Sequence, residues 1–554
     1  MDEQRLAAYL ELIQALLECP NGEENDILNA HLELVDADFV QVMEVEAENM
    51  AAEGNSNAAW LQNLAAHLAN SVGNTATPQE YFSFLMEVFL VVLESRENSK
   101  IVYPFLQQNL NKLDLKFARM LQSWAQSTFT EVSSEESESL AGVIVNLGNL
   151  IQQFPLGQRA WNLEIGIAAY ELALTVVKLE ALPQQWAMIQ NNLGEAYRNR
   201  IKRDKSENIE QAIAAFEQAL TVFTFEAFPQ NWAATTNNLA NAYSNRIKGD
   251  KGENIELAIA AFKQVLQTIY TFEALPQDWA ATTNNLGEAY RNRIKEYKGE
   301  NIELAIAAFE QALTVHTFET FPQDWAMTKN NLGNAYSDRL KGDQGENIEL
   351  AIAAFEQALI VRTFEALPQS WGTTKNNLGT IYCNRIKGNK RENIELAIAA
   401  FEQALTVRTF EALPQDWAET KNNLGNVYRN RIKGDKSENI ELAIAAFKQA
   451  LTVLTFEAFP QNWAGTKNNL GNAYHNRIKG NKGENIELAI AAYELALTVY
   501  TPTAFPFNCL TTGRNLGNTA FTAGFWDIAI EGFDKAIQAV ETSRSWATSD
   551  DIRQ

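Results

Sequence analysis

The sequence predicts an all-α protein, a solenoid of helical hairpins preceded by a separate helical domain. Three observations carry this. The first is the stretch Asn330-Asn331-Leu332-Gly333-Asn334-Ala335-Tyr336, whose near copies recur from Asn146-Leu147 to Asn515-Leu516. The leucines Leu147, Leu193, Leu239, Leu286, Leu332, Leu378, Leu424, Leu470 and Leu516 stand 46 residues apart, except for one gap of 47 between Leu239 and Leu286. A fixed period of this size means units that pack on their neighbours in a row. The second observation is that each unit holds two helical patterns. The third is that residues 1–136 lack the repeat yet still read as helices.

Within one unit, Trp325–Arg339 places Leu332, Ala335 and Tyr336 at i, i+3 and i+4, which is a helix face. Asn347–Val361 repeats the pattern through Ile348, Ala351, Ile352, Phe355, Ala358 and Leu359. Start signals agree from copy to copy. The residue before each Trp is Asn231, Asp278, Asp324, Ser370, Asp416 or Asn462, with Gln185 the exception, and such side chains accept from unpaired helix N–H groups. Asn208, Asn254, Asn301, Asn347, Asn393, Asn439 and Asn485 are expected to open the second helix, each followed two residues on by Glu at the positive end of the dipole. Pro183, Pro229, Pro276, Pro322, Pro368, Pro414 and Pro460 close the preceding connection.

The combination of Leu-Gly-x-x-Tyr on the first helix with Ala351, Phe355 and Ala358 on the second resembles the tetratricopeptide repeat. The same triplet stands at Ala212, Phe216, Ala219, at Ala305, Phe309, Ala312, at Ala397, Phe401, Ala404, and at Ala443, Phe447, Ala450. The family's unit has about 34 residues, so this one is longer. Six of the extra residues fall in the loop between the helices and six in the Thr-Phe-Glu-Ala-Leu-Pro-Gln connection; the last copy, with 13 residues from Leu516 to Ala529 and Gly524 at the turn, keeps the standard loop. The resemblance implies a right-handed superhelical solenoid with the first helices lining a concave face. The expected organisation is an acidic helical domain over 1–136, nine repeats over 137–541 and a tail over 542–554.

The N-terminal domain reads as helices Gln4–Cys19, Phe39–Ala52, Ala58–Ala69, Gln79–Arg96 and Pro104–Ser127, with Glu131–Glu138 as the junction. Its first 140 residues hold 23 acidic and 6 basic side chains, so most of the net charge of −24 is local to it. That balance disfavours nucleic acid, whose readers need a positive groove, while a negative head could steer a basic partner or simply keep a repetitive chain soluble. The opening Met1-Asp-Glu-Gln-Arg carries acid where an export signal needs base, and the apolar run Tyr81–Leu93 is too short to span a bilayer. A cytoplasmic protein with no membrane association is expected. Cys19, Cys383 and Cys509, and His31, His67, His316 and His475, are too scattered for a disulfide framework or a metal site. No cofactor or metal is expected.

The positions that point to function lie on the first helix. Asn330, Asn334 and Asp338 fall at i, i+4 and i+8, along one stripe. It recurs as Asn237, Asn241, Asn245; Asn422, Asn426, Asn430; and Asn468, Asn472, Asn476; variants begin at Asn191, Asn284 and Asn376. An amide carries both donor and acceptor, so such a ladder can pair with an extended peptide whatever its side chains. The expected peptide-binding set is Asn191, Asn237, Asn241, Asn284, Asn330, Asn334, Asn376, Asn422, Asn426, Asn468 and Asn472; a solvated polar face is the alternative. Specificity would come from variable positions, namely Arg198, Ser244, Arg291, Ser337, Cys383, Arg429 and His475, and the series Lys329, Lys375, Lys421 and Lys467. Asn331 and its equivalents, next to Leu, are read as structural, and the once-per-repeat Trp as packing.

No Gly-rich phosphate loop, nucleophile elbow or recurring Cys/His pair appears, so a non-catalytic scaffold holding a protein or peptide is expected. Near-identical repeats could also stack end to end. Leu16-Leu17-Glu18-Cys19-Pro20-Asn21-Gly22-Glu23-Glu24 and the loop Asn-Arg-Ile-Lys-Gly-Asp-Lys-Gly-Glu resemble cyanobacterial proteins in which such repeats precede a caspase-like CHAT protease domain. That resemblance implies the alternative of a recognition or regulatory arm for a protease that this chain does not contain.

Overall fold

The computed structural model describes residues 3–551 apart from 20–23, 25, 26, 29, 30, 32, 33, 36, 53–56, 73–76, 97 and 411. Among the described residues there are 24 α-helices, one short 3-10 helix and no strand. Helical hairpins follow one another in tandem, the tetratricopeptide-type arrangement. Contact density divides the chain into Met1–Phe223 and Thr224–Gln554. Repeats are numbered one to nine from Leu147 to Leu516; the first two lie in the first unit and the rest in the second.

The first unit begins with α1 (Glu3–Glu18), α2 (Ala37–Ala52) and α3 (Ala58–Val72), which bury Tyr9, Leu16, Phe39, Met43 and Leu61 in one cluster. The expected motif at residues 20–23 lies outside the described residues. A capping box on Thr77 opens α4 (Pro78–Ser95). The expected helix Pro104–Ser127 is two helices, α5 (Ser99–Gln108) and α6 (Leu115–Glu131). Pro104 is carried inside α5, and the break comes later, where Asp114 accepts from the Phe117 N–H at 3.0 Å and restarts the helix. The acidic junction is itself a helix start: Ser133 and Glu136 form a capping box, and α7 (Ser134–Gln153) carries Leu147. The boundary expected at 136–137 falls in its first turn. At the other end, the last helix (Trp526–Asp551) runs on through most of the expected tail, and 552–554 lie outside the described residues.

In the second unit a repeat is best seen in Pro322–Asp338 and Gln344–Val361. Its two start signals need correcting. The first helix opens at Pro322, with Phe321 as the cap residue and no side-chain cap; Asp324 lies inside the first turn. Pro at the first helical position gives up an N–H that would be unpaired there anyway, and its φ is already helical. The second helix is capped by Asp343, which accepts from the Glu346 N–H at 2.8 Å. Asn347 instead turns back, donating to the Lys341 carbonyl at 2.9 Å, and so fastens the inserted loop to the helix. The loop reverses at Gly342, φ 84°, a backbone region where a Cβ costs about 1 kcal/mol. In repeat four Glu296 occupies that region instead, φ 68°, and Tyr297 replaces the capping acid.

The hairpin closes on a ring. A Cβ added to Gly333 would stand 2.7 Å from the Phe355 ring, so glycine there lets the two helices meet over an aromatic that is itself almost wholly buried. Neighbouring repeats are joined on one side by paired charges. Arg339 grips both oxygens of Glu303 at 2.8 Å, Arg385 grips Glu349, Arg431 Glu395 and Arg477 Glu441, each reaching back to the preceding second helix. The bidentate geometry is the strong form of such a pair, and the Arg hydrogen bond lowers each Glu pKa. Each Trp packs as expected: Trp325, Trp371, Trp417 and Trp463 meet Phe318, Phe364, Phe410 and Phe456 edge to face at 5.3–5.4 Å. Lys329, Lys375, Lys421 and Lys467 lie over the same indoles at 5.4–5.8 Å.

The longer gap before Leu286 is absorbed at the end of Lys251–Thr268. Tyr270 donates to the Val265 carbonyl five residues back, whereas His316, at the same place one repeat on, donates four back to Ala312.

Candidate functional site

The expected ladder divides into two rows with different surroundings. The first row lies in the joints between repeats. Asn330 is buried, and its Oδ1 accepts from Thr374 Oγ1 at 3.0 Å and Asn377 Nδ2 at 3.4 Å, both on the next first helix. Asn376 accepts from Thr420 and Asn423 in the same way. Asn284, Asn422 and Asn468 accept from Asn331, Asn469 and Asn515 at 3.2–3.3 Å. For Asn284, Asn330, Asn376, Asn422 and Asn468, expected in the peptide-binding set, the side-chain carbonyls are committed to the neighbouring repeat. The physical reason is that the residue two before Leu lies on the side of the helix turned to the next first helix. The residue just before Leu supplies the donor, in keeping with its structural reading.

Asn191 donates to its neighbour Asn192 at 3.4 Å and is half-buried. Asn237 is the exception in its row, its Oδ1 buried and without a hydrogen bond, as are the Thr282 and Thr283 hydroxyls across the same joint. That joint follows the extra residue.

The second row is different. Asn241, Asn334 and Asn426 are half-buried and make no side-chain hydrogen bond among the described residues. Asn472 accepts from the Tyr493 hydroxyl at 3.1 Å. Further along the stripe Asn384, Asn430 and Asn476 are exposed. Here two cavities open. One, of ≈ 570 Å³, is lined by Thr380, Lys390, Asn426, Arg429 and Asn430 among others. The other, of ≈ 480 Å³, is lined by Arg429, Asn430, Lys436, Asn472, Asn476 and Asn515 with Ile440. Neither has a carboxylate in its lining.

The variable position five after Leu sorts the repeats. Arg291 binds Glu288 at 2.6 Å and reaches the next repeat's Asp338 at 2.8 Å. Burial opposes its charge, but these carboxylates outweigh burial and raise its pKa. In repeat seven Asn426 stands for Glu288 and Asn476 for Asp338, and Arg429 has no ion pair or hydrogen bond among the described residues. Burial therefore lowers the Arg429 pKa. Arg198 has Glu195 at 3.7 Å, and His475 bonds Thr519 at 3.1 Å.

Sequence reasoning missed two features of this surface. The Arg–Glu pairs between repeats were visible as Asn-Arg-Ile-Lys (Asp-Arg-Leu-Lys at Arg339) and Asn-Ile-Glu at a separation of 36 residues, 37 across the longer gap. The Thr four before Leu, which closes the amide joint at Thr374 and Thr420, also recurs but carries no charge to mark it.

No group of three or more His, Cys, Asp or Glu able to hold a metal ion occurs among the described residues, and no helix there is long and apolar enough to cross a membrane.

No family model matches the chain, and no match was found among curated proteins. Solved structures do match. The chain is similar to the human IFIT1 dimer with PPP-AAAA, at 15% identity, 91% of this chain, 95% of that chain and a TM-score of 0.40. It is similar to the apo form of RapI at 12% identity, with 74% and 98% covered and a TM-score of 0.41. It is similar to yeast Tom70 at 12% identity, with 93% and 97% covered and a TM-score of 0.37.

Proposed function

We propose that this protein is a non-catalytic scaffold that holds a polypeptide against the stripe-bearing face of its first helices. The observation that carries it is the second amide row. Asn241, Asn334 and Asn426 recur at one register on alternate hairpins, repeats three, five and seven, with no side-chain partner among the described residues, while the carbonyls of Asn330 and Asn376 in the row beside them are taken up by the joints. Half-buried amides, of which Asn426 lines a cavity, offer a donor and an acceptor to a peptide backbone, and solenoid surfaces of this kind are extended enough to follow a chain. The free amide N–H groups of Asn376, Asn422 and Asn468 would supplement them. By the resemblance to CHAT-associated repeats, the same face would serve as the recognition arm of a caspase-like protease provided from elsewhere.

A photo-crosslinking residue at Thr380, which is exposed on this face, is expected to capture a polypeptide from native cytosol; the same residue at Leu396, exposed on a second helix, is not. The triple substitution Asn241→Ala, Asn334→Ala, Asn426→Ala should lose the crosslink while keeping its helical circular dichroism. Equal capture from both positions, or capture unaffected by the triple substitution, overturns the proposal.

A further inference from the structure

The repeats carry an arginine at one register that is neutralised in one place and left without a counter-ion in another. Arg291 has two carboxylates, Glu288 on its own helix and Asp338 on the next. Both positions are amides around Arg429, namely Asn426 and Asn476. The rest of the joint is conventional: Arg431–Glu395 and Arg477–Glu441 still form, so the amides stand in a repeat that otherwise keeps the common pattern. The two cavities meet at Arg429, and each adds a lysine, Lys390 in one and Lys436 in the other, neither with an ion-pair partner among the described residues. Three cations thus line these cavities without one carboxylate beside them. Arg429 is half-buried, and a guanidinium partly withdrawn from water is stabilised by a carboxylate partner.

Resting on the reading of the face as a polypeptide site, we infer that Arg429, with Lys390 and Lys436, receives an Asp or Glu side chain of the bound polypeptide, between repeats six and eight. The guanidinium takes the carboxylate that repeat four supplies internally, and Asn426, Asn430 and Asn476 flank it as hydrogen-bond donors. Recognition of an acidic segment then depends on this positive site, which sets where along the solenoid the segment docks.

The test is selection of a phage-displayed random dodecapeptide library on the intact chain, on Arg429→Gln, and on Asn426→Glu with Asn476→Asp, which restores the internal carboxylates. The intact chain is expected to enrich Asp or Glu at one position by about tenfold over the input, as one charge-assisted bond warrants. Both variants should lose that enrichment while retaining the helical spectrum. Peptides without an acidic preference, or an acidic preference that Arg429→Gln keeps, overturn this inference and leave the groove reading standing. No peptide enriched over a blank surface overturns both. Calorimetry with inorganic phosphate should show no saturable heat; a phosphate isotherm lost in Arg429→Gln would reassign the cluster to a small free anion and overturn the acidic-polypeptide inference.

Discussion

Repeats four and seven share a helix pair, a ring-over-glycine closure and an Arg at the same register, yet one is closed on itself and the other is open. In repeat four the charge is satisfied within the fold by Glu288 and Asp338. In repeat seven amides replace both acids, and cavities stand where the pairs would be. Local loops run the other way. Repeat seven has Gly434, φ 83°, and the capping Asp435, whereas repeat four has Glu296 and Tyr297. A repeat array can therefore move polar satisfaction from the inside of a joint to a ligand without changing its backbone, provided the turns and caps around it are sound.

The largest effect should come from opening the closed joint. Glu288→Gln with Asp338→Asn leaves Arg291 without its carboxylates; its side chain is only 22% exposed, so a loss of about 2 kcal/mol is expected. Hydrogen exchange on Pro276–Arg291 and Pro322–Asp338 measures it, because a repeat array opens locally and not as one transition. Protection unchanged in those helices would show that the pair adds nothing to the joint.

Acid should distinguish the two joints next. His316 packs at the end of repeat four, fully buried against Thr328, where repeat seven has Leu454. Burial lowers its pKa from 6.5. The unfolded chain then binds more protons below that value, so the contribution is whole above pH 6.5 and is lost as pH falls through the folded pKa. Amide protection in Lys298–Ala312 and Pro322–Asp338 should fall more steeply with acid in the intact chain than in His316→Leu, after correction for the intrinsic pH dependence of exchange; parallel curves would remove His316 as the cause.

Repairing the loop of repeat four comes third. Glu296→Gly with Tyr297→Asp restores the turn and the cap and should stabilise it by about 1–2 kcal/mol, read from amide protection in Lys298–Ala312. The smallest change is the indole cation. Repeat seven places Lys421 over Trp417 at 5.5 Å, and repeat four has Thr283 at that register. Lys421→Met should cost about 0.5 kcal/mol, visible as reduced amide protection in Pro414–Asn430 that high salt does not abolish.

The hairpins and their period were legible because periodicity is a property of one chain segment. Cap positions were misread by a few residues: Asp324 and Asn347 are good caps by type, but Pro322 and Asp343 start the helices earlier. The break at Asp114 was missed because Pro104 was the more conspicuous signal. The amide ladder was read as one stripe, but which way each row turns depends on where the next first helix lies, and a linear stripe does not contain that. The contrast between Arg291 and Arg429 was likewise present as letters in the sequence, yet it acquires meaning only when Asp338 is seen 2.8 Å from Arg291 across a joint.

The amide joints have a direction: Asn330 accepts from the repeat that follows it, and Asn376 from the one after that. Pulled at its two ends, the array of Thr224–Gln554 bears load through these joints in series, like links of unequal strength. The link across the longer gap, where the Asn237 Oδ1 and the Thr282 and Thr283 hydroxyls have no hydrogen bond among the described residues, is the one to yield first under force. Each later yield releases a 46-residue unit, up to roughly 160 Å of extended chain at about 3.4 Å per residue. Such a molecule lengthens in even steps and can refold link by link, as a spring that keeps count of its own extension.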